Sequence, residues 1–529
     1  MTPAHPHLAS PGGVAHPVVA KRRRQDFLAL GLTALIALAL AMELATSVAK
    51  PNLALTIGIV LGALGLLTLM VNSRLEVTVT LLAVYLGCLD GPIKGFSGGG
   101  NAVAVIRNVL IVAVCIGALV RLAGKREPIK MPALSGWVFA FTALVLVEAL
   151  NPNTSGILKI LGGFRQQLEW VPFFFFGYAL IRTKERLRQL FMVLAFIALA
   201  NGIVSTIQTR LSPHQLAAWG PGYSERILGA NGVSGTTYFS EGEGHVRPLA
   251  LGSDIGFGGS VGVIALPGTL ALLAFAGHRK RKWLLPLLCM GALLAVATSL
   301  SRTAVLGAFV TLIAFGGFSL SAGRQVIRPL LALLGLLVLA TVLVTVLSST
   351  EGESAFSRYT SIAPEKVGTT APSYKEISLK QIPNDIAHEP FGFGLGTAGA
   401  ASSFGGHTKV TLEGHGFSSE TQYNFVMNEV GLPGLVLWVS FTLLLISLAL
   451  TRLTRIEDVE VRVDLAAISA VIVGLTITGF AGAFMAGQGA GPFFWFAAGV
   501  LAYWFVGPGL RQASSPAGAA PALAAEGAH

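Results

Sequence analysis

Residues 284–300 read LLPLLCMGALLAVATSL and residues 303–321 read TAVLGAFVTLIAFGGFSLS, with only Ser301 and Arg302 between them. Each run falls within the range of about 17–25 apolar residues that is typical of a membrane-spanning α-helix. Neither run alternates apolar and polar residues as the strands of a membrane β-barrel do. Because a bilayer core offers no water to unpaired backbone groups, helices remain as the way to span it. The stretch therefore predicts two membrane helices joined at a short polar turn.

Similar apolar runs recur along the whole chain. Of its 529 residues, 53% are hydrophobic and only 12% are charged, and the mean hydropathy is +0.69. A water-soluble chain of this length carries far more charge. The runs predict about fourteen transmembrane helices, at 27–49, 52–72, 75–90, 101–122, 132–150, 167–181, 189–211, 255–276, 284–300, 303–321, 329–348, 431–450, 463–486 and 488–507. The predicted fold class is an all-α polytopic membrane protein with a large extracytoplasmic loop and no soluble core domain.

The predicted helices divide the chain into segments. The two ends are rich in Ala and Pro and lack any periodic pattern, so we expect disordered tails there. In order, the segments are the N-terminal tail 1–26, the N-terminal transmembrane helices 27–150, the central transmembrane helices 151–348, the large outer loop 349–430, the C-terminal transmembrane helices 431–507 and the C-terminal tail 508–529.

Basic residues predict the orientation, because Lys and Arg near helix ends stay on the cytoplasmic side of the inner membrane. Counted from a cytoplasmic N-terminus, one face collects the clusters Lys21 to Arg24, Arg121 to Lys130, Arg182 to Arg188, Arg279 to Lys282, Arg324 with Arg328, and Arg452 to Arg462. Both termini are then cytoplasmic, and segments 151–166, 212–254 and 349–430 lie outside. The formal charge of +11 therefore reflects anchoring in the membrane and does not indicate a nucleic-acid partner.

Metal and cofactor signals are missing from the sequence. Cys88, Cys115 and Cys289 fall in or beside apolar runs and have no metal-ligand spacing. The outer loops contain no acidic pair suited to a metal ion, and the chain has no phosphate-binding glycine loop or dinucleotide motif. We therefore expect no metal and no cofactor, and a nucleotide sugar is an unsuitable donor.

Arginines on the predicted outer side suggest a binding site. Arg165, Arg247 and Arg302 break the inside rule and lie in short glycine-rich or polar stretches near helix ends, and Arg358 lies in the large outer loop. A guanidinium group offers a rigid fork of donors to phosphoryl oxygens and keeps its charge when partly desolvated. These four side chains are thus candidates for binding a diphosphate. The alternative is that an outer arginine only reaches lipid phosphates.

Four stretches then carry a family resemblance. They are GHVRPLALGSDIGFGG at 244–259, TSLSRTAVLG at 298–307, AHEPFGFGLGT at 387–397 and SSETQYNFVMNEVGLPGLVLW at 418–438. In this order, the chain resembles the superfamily of O-antigen ligases and O-antigen and exopolysaccharide polymerases over roughly residues 150–505. The second stretch resembles the family's Ser-Arg helix junction and the third its hPxxGxGlG element. The fourth resembles its HNxYL…ExGxxG pattern, with Glu420 in place of the His and Thr421 in place of the Asn.

The resemblance implies a metal-independent, membrane-embedded glycosyltransferase of lipid-linked glycans. Its partners would be an undecaprenyl-diphosphate-linked oligosaccharide donor, a glycan acceptor and membrane lipids, with a flippase and a chain-length regulator acting in the same pathway. The replacement of the family's His favours a polymerase over a ligase. A transporter of a lipid-linked or polysaccharide substrate remains the alternative, although its usual mid-membrane ionisable group is missing because Glu43 and Glu148 lie near outer helix ends. A non-catalytic scaffold is a third reading.

The chemistry requires two kinds of group. Cations must stabilise the departing diphosphate, and a base must take the proton of the acceptor hydroxyl. The outer arginines meet the first need, and Glu420 or His415 meets the second. The surrounding outer loop contains an amphipathic pattern over Ser373 to Ile386 and a turn-rich stretch from Gly392 to Gly406. Such a loop suits either a lid over a lipid-facing cavity or a structural cap.

Overall fold

The computed structural model describes residues 74–96, 101–124, 131–154, 156–229, 237–240, 243–275, 283–320, 330, 331, 335, 359, 373–403 and 421–513. These residues are mainly helical. The helices are α1 Leu75–Val84, α2 Asp90–Phe96, α3 Asn101–Gly124, α4 Ser135–Glu148, α5 Ile157–Leu168, α6 Pro172–Leu180, α7 Lys184–Gln208, α8 Pro213–Ala217, α9 Pro221–Leu228, α10 Phe257–Ala274, α11 Leu284–Thr298, α12 Arg302–Ser319, α13 Ser373–His388, α14 Gln422–Arg452, α15 Val459–Thr478, α16 Gly491–Phe505 and α17 Pro508–Ala513. A π-helical turn, Tyr85–Leu89, joins α1 to α2. Strands β1 Thr237–Ser240 and β2 Glu243–Val246 form an antiparallel pair.

Six helical segments of the described chain are long and apolar enough to cross a membrane. They are Leu75–Phe96, Lys184–Gln208, Phe257–Ala274, Arg302–Ser319, Gln422–Arg455 and Val459–Thr478. Shorter apolar helices are Ile106–Leu119, Ser135–Glu148, Leu284–Thr298 and Gly491–Phe505. These lengths and compositions are those of a helical, membrane-embedded protein. The predicted spans 27–49 and 52–72, and nearly all of 329–348, lie outside the described residues.

Two predicted spans are interrupted. The run 167–181 divides into the end of α5 and the nine-residue helix α6, with Glu169 and Trp170 at the break. The run 463–486 is helical only as far as Thr478, after which a glycine-rich segment leads to α16. Glycine lowers helix propensity and allows tight turns, whereas a hydropathy average does not register it. The second break lines the cavity described below.

Small residues allow close packing of the central helices. A Cβ atom at Gly202 of α7 would lie 2.6 Å from the carbonyl oxygen of Gly291 of α11. A Cβ atom at Gly262 of α10 would lie 2.7 Å from the carbonyl oxygen of Ala292. Since apolar helices gain little from the hydrophobic effect within lipid, such close backbone contact is a main source of their association. The result is a firm core of α7, α10 and α11.

One end of the helices carries a cluster of ion pairs. Lys184 at the start of α7 contacts Asp458 at 3.0 Å and Glu460 at 2.6 Å. Arg188 also contacts Glu460, and Arg186 contacts Glu76 at the start of α1 at 2.8 Å. The structure thus joins two of the basic clusters, Arg182 to Arg188 and Arg452 to Arg462, which the sequence assigns to one face. We call this group the α7–α15 ion cluster.

Candidate functional site

A polar cavity lies at the end of the helices away from the α7–α15 ion cluster. Its volume is about 300 Å³. Four elements form its wall: the start of α10 with the residues before it, the start of α12, the last turn of α15, and the segment 479–490 between α15 and α16. Its oxygen-bearing side chains are those of Asp254, Ser260, Ser301, Thr303 and Thr478. The cavity therefore presents these polar groups within a lining that is otherwise mostly apolar.

The starts of α10 and α12 meet at this cavity. Gly256 precedes α10 with φ of 74°, a conformation that favours glycine. A Cβ atom at Gly256 would lie 3.3 Å from the Cβ atom of Ser301, so the two helix starts are in close contact. The Ser301 side chain caps α12 by accepting a hydrogen bond from the backbone N–H of Ala304. Helix N-termini carry a partial positive charge and present free N–H groups, so their convergence favours an anion.

The opposite wall is held by the start of α14. Oε1 of Gln422 accepts hydrogen bonds from the backbone N–H groups of Phe484 and Met485, both at 2.9 Å. The backbone N–H of Gln422 donates to the carbonyl oxygen of Gly479 at 2.8 Å. Thr421, which caps α14, is fully buried. The first turn of α14 is thus fixed against the segment that lines the cavity.

Asp254 is the only carboxylate among the described residues that line the cavity. Its Oδ2 accepts a hydrogen bond from the backbone N–H of Gln488 at 3.2 Å, and its side chain is exposed. Gln488 is held in turn, because Ser253 donates to its Oε1 at 2.6 Å and its Nε2 donates to the carbonyl oxygen of Leu86 at 2.6 Å. The cavity therefore presents an open carboxylate on a well-supported backbone.

An apolar groove adjoins the polar cavity. It has a volume of about 160 Å³ and is lined mainly by apolar side chains of α1, α6, α7, α10 and α16. Phe257 and Gly489 belong to both walls, so they separate the groove from the cavity. The far end of the groove is lined by the paired residues Glu76 and Arg186. A polar head and an apolar chain of one ligand could thus occupy neighbouring spaces.

A buried carboxylate, Glu429 on α14, ties the glycine-rich stretch to the helices. Its side chain is fully buried and accepts four hydrogen bonds. The donors are Nε2 of Gln167 at 2.8 Å, Nε2 of Gln166 at 3.3 Å, and the backbone N–H groups of Gly396 and Ala398 at 3.2 Å each. We call this arrangement the Glu429 clasp. It fixes the loop after α13 onto both α5 and α14.

The sequence-predicted arginines do not form one cluster. Arg302 is the first residue of α12, between the cavity-lining residues Ser301 and Thr303. Arg165 lies on α5 with its side chain 36% exposed, 3.6 Å from Glu169. Arg247 follows β2 and is half-buried. Arg165, Arg247 and Arg302 are all absent from the described residues that line the cavity. Arg358 and both candidate bases, His415 and Glu420, lie outside the described residues.

Sequence reasoning missed a buried charged network. Arg107 of α3 donates two hydrogen bonds to Glu169, at 2.7 and 3.0 Å, and its guanidinium lies over the Trp170 ring at 5.1 Å. Lys94 contacts Asp90 at 2.6 Å. Ionisable groups buried among membrane helices are costly and usually functional. The spacing of Asp90 and Lys94, one helical turn apart, was the available signal, but the predicted span 75–90 ended at Asp90 and left Lys94 in a loop.

Helix α13 carries a half-buried acid, Asp385. The predicted amphipathic helix over Ser373 to Ile386 is confirmed, with its end at His388. Burial raises the pKa of Asp385 to about 6, and the nearby His388 opposes this rise. Among the described residues no group of three or more His, Cys, Asp or Glu side chains could hold a metal ion.

The described residues thus define the class of the protein: a helical, membrane-embedded protein in which a partly polar cavity adjoins an apolar groove. No family model, curated protein or solved structure matches the chain.

Proposed function

We propose that this chain is a membrane-embedded glycosyltransferase that joins undecaprenyl-diphosphate-linked oligosaccharides, most simply as a polysaccharide polymerase. One observation carries the proposal. The polar cavity, where two helix N-termini converge beside Arg302, adjoins an apolar groove across Phe257 and Gly489. A lipid-linked sugar diphosphate has the matching parts, an anionic head and a long apolar chain.

The cavity offers what the leaving diphosphate needs. Two helix termini supply partial positive charge, and Arg302 supplies a full one. Donors that are fixed before the reaction stabilise developing negative charge without having to reorganise. Departure of undecaprenyl diphosphate would therefore be favoured at this cavity, and no metal is required for that step.

The proposed topology places this chemistry outside the cytoplasm. It has about fourteen transmembrane helices, both termini in the cytoplasm of a cell with an inner membrane, and the loop 349–430 on the outer face. The α7–α15 ion cluster supports this arrangement, because it gathers two basic clusters at the end of the helices away from the cavity. Arg302 and the cavity then lie on the outer side.

The proposed acceptor base belongs to the segment that enters α14. Glu420 directly precedes Thr421, and the turn from Thr421 is fixed against the cavity wall through Gln422. This connection supports Glu420 as a base at the cavity, with His415 as the second candidate on the same segment.

A transporter of a lipid-linked or polysaccharide substrate is the second candidate function. The buried network of Asp90, Lys94, Arg107 and Glu169 favours it, because such groups often couple movement of a substrate to that of protons. The same cavity and groove would bind a substrate in transit. The two functions differ in whether a new glycosidic bond forms.

The test is transfer in vitro by the purified protein in liposomes. The donor is the undecaprenyl-diphosphate oligosaccharide extracted from cells that lack this protein. We expect the wild type to form longer glycans and release undecaprenyl diphosphate. Arg302→Ala should lower turnover roughly 100-fold, and Arg302→Lys should lower it about tenfold because the planar fork is lost.

Arg455→Lys is the matched control, since Arg455 is exposed at the opposite end of the helices. Donor movement across the liposome membrane without any change in glycan length would support the transporter instead. Wild-type turnover in Arg302→Ala would remove Arg302 from the site.

A further inference from the structure

The cavity holds a carboxylate in a position that catalysis can use. Asp254 lies two residues before Gly256, and Gly256 touches Ser301, the residue that precedes Arg302. The structure thus brings the Asp254 carboxylate into the cavity that is also lined by Ser301 and Thr303, the two neighbours of the proposed diphosphate-binding Arg302. No sequence motif links the two, because they come from separate segments.

We infer that Asp254, in place of Glu420 or His415, is the catalytic base of the transfer reaction, an inference that rests on the proposed function. As the acceptor oxygen bonds to the anomeric carbon of the donor, the Asp254 carboxylate takes the proton of the acceptor hydroxyl. The bond between the anomeric carbon and the diphosphate oxygen breaks, and its electron pair leaves with undecaprenyl diphosphate. Every atom and charge is accounted for without a further reactant.

The hydrogen bonding of Asp254 leaves room for this role. A carboxylate has about four acceptor positions. Among the described residues one donor, the backbone N–H of Gln488, occupies one position on Oδ2. The side chain is exposed to the cavity, so the remaining positions are open to an acceptor hydroxyl.

The support of Asp254 is rigid. Its partner Gln488 is tied to Ser253 at 2.6 Å and to the carbonyl oxygen of Leu86 at 2.6 Å. The backbone carbonyl of Asp254 accepts from the N–H of Phe257 at 3.2 Å, at the start of α10. A base held on firm elements keeps the geometry that proton transfer requires.

A purely structural role makes a different prediction. In that role, Asp254 would only fasten α10 to the segment 479–490 through Gln488. Asparagine has the same shape and keeps an amide oxygen that accepts from the Gln488 N–H, but it cannot take a proton from a hydroxyl. Asp254→Asn therefore removes the ability to take a proton but keeps the hydrogen bond from Gln488, whereas Asp254→Ala removes both.

The experiment measures turnover, melting temperature and binding of undecaprenyl diphosphate for the wild type, Asp254→Asn, Asp254→Ala and Asp254→Glu in liposomes or detergent. We expect Asp254→Asn to lower turnover roughly 100-fold or more, as loss of a general base does, with unchanged melting and unchanged binding. Asp254→Glu should restore part of the turnover. Asp385→Asn, on α13 and away from the cavity lining, is the matched control.

Glu420→Gln and His415→Ala are measured in parallel. Near-wild-type turnover in Asp254→Asn, with a large loss in either of the other two variants, would overturn the assignment of Asp254 and leave the glycosyltransferase standing. A wild type that forms no glycosidic bond would instead overturn the proposed function itself. If Asp254→Asn lowers the melting temperature as much as Asp254→Ala does, the role of Asp254 is purely structural.

Discussion

Glu429 and Asp254 are two carboxylates of the same protein in opposite situations. Glu429 is fully buried and accepts four hydrogen bonds, from two side-chain amides and two backbone N–H groups. Asp254 is exposed and accepts one hydrogen bond from the described residues. The first carboxylate has its acceptor positions filled, and the second has most of them open.

The difference separates a residue that builds the site from one that can act in it. A saturated carboxylate cannot accept a further proton donor unless it gives up an existing partner. The Glu429 clasp therefore gives the glycine-rich stretch around Gly396 a structural role. Gly396, with φ of 78°, lets its N–H reach Glu429, and a side chain there would collide with the carbonyl oxygen of Lys159.

The largest expected effect that tests the comparison of Glu429 with Asp254 is a loss of folding stability. Glu429→Ala removes the acceptor of three buried donors, on Gln167, Gly396 and Ala398, and one of the two acceptors of the half-buried Gln166 amide. Each unsatisfied buried group costs about 1–3 kcal/mol, so we expect a loss of several kcal/mol and little monodisperse protein in detergent. Asp254→Ala should remain folded, because an exposed side chain leaves one backbone N–H to water. Melting of purified variants, followed by size-exclusion chromatography, measures both.

Glu429→Gln sharpens the same test. The amide keeps one oxygen for the N–H groups of Gly396 and Ala398 but turns a donor towards Gln167. An intermediate stability is expected. Equal melting temperatures for Glu429→Ala and the wild type would mean that the clasp contributes nothing to folding.

A smaller effect is expected where the clasp loop meets α5. A Cβ atom at Gly163 would lie 2.7 Å from the Cβ atom of Leu395 and 2.8 Å from its carbonyl carbon. Gly163→Ala should therefore destabilise the protein by about 1–3 kcal/mol, the usual range for overpacking. Gly136→Ala is the matched control, since Gly136 is also helical and a Cβ atom there would meet nothing within 4 Å.

The control variant should be neutral or slightly more stable, because alanine favours a helix by up to about 1 kcal/mol over glycine. Thermal melting of both variants under the same conditions decides the matter. If Gly163→Ala melts no lower than Gly136→Ala, the loop is not packed against α5 as described.

Long apolar runs allowed the sequence to predict several helices closely. The runs 255–276, 284–300 and 303–321 correspond to helices at Phe257–Ala274, Leu284–Thr298 and Arg302–Ser319. The junction at Ser301 and Arg302 was also predicted correctly. These features depend on residues that are close together in the sequence, so a single stretch of sequence is enough to predict them.

The remaining features depend on contacts between distant segments. Asp254 lies in a glycine-rich stretch that by itself indicates only a turn, and the contact between Gly256 and Ser301 has no local signal. Arg107 lies within a predicted span, where its partner Glu169 on a separate segment is invisible to a hydropathy count. The predicted site residues at Arg358, His415 and Glu420 remain predictions, as does the glycan chemistry.

The smallest predicted effect concerns Asp385, a third carboxylate between the other two in its burial. Burial raises its pKa to about 6 from an ordinary value of 3.8, and His388 opposes the rise. Since the folded state binds this proton more tightly than the unfolded state, docking of α13 is most stable below pH 3.8 and weakens as the pH rises to about 6. Above about pH 6 the folded state holds the charged carboxylate, and its unfavourable effect on the docking of α13 no longer changes with pH.

Asp385→Asn carries no such charge. Its helix α13 should therefore stay equally protected from hydrogen exchange across this pH range and be better protected than in the wild type at pH 7.5. Hydrogen exchange of residues 373–388, corrected for the intrinsic pH dependence of exchange, measures this, with Ala387→Ser as an exposed control on the same helix. Wild-type protection that does not change between pH 5 and pH 7.5 would show that Asp385 is solvated like any surface carboxylate. Asp385 would then belong with the exposed Asp254, and Glu429 would be the one buried carboxylate of the three.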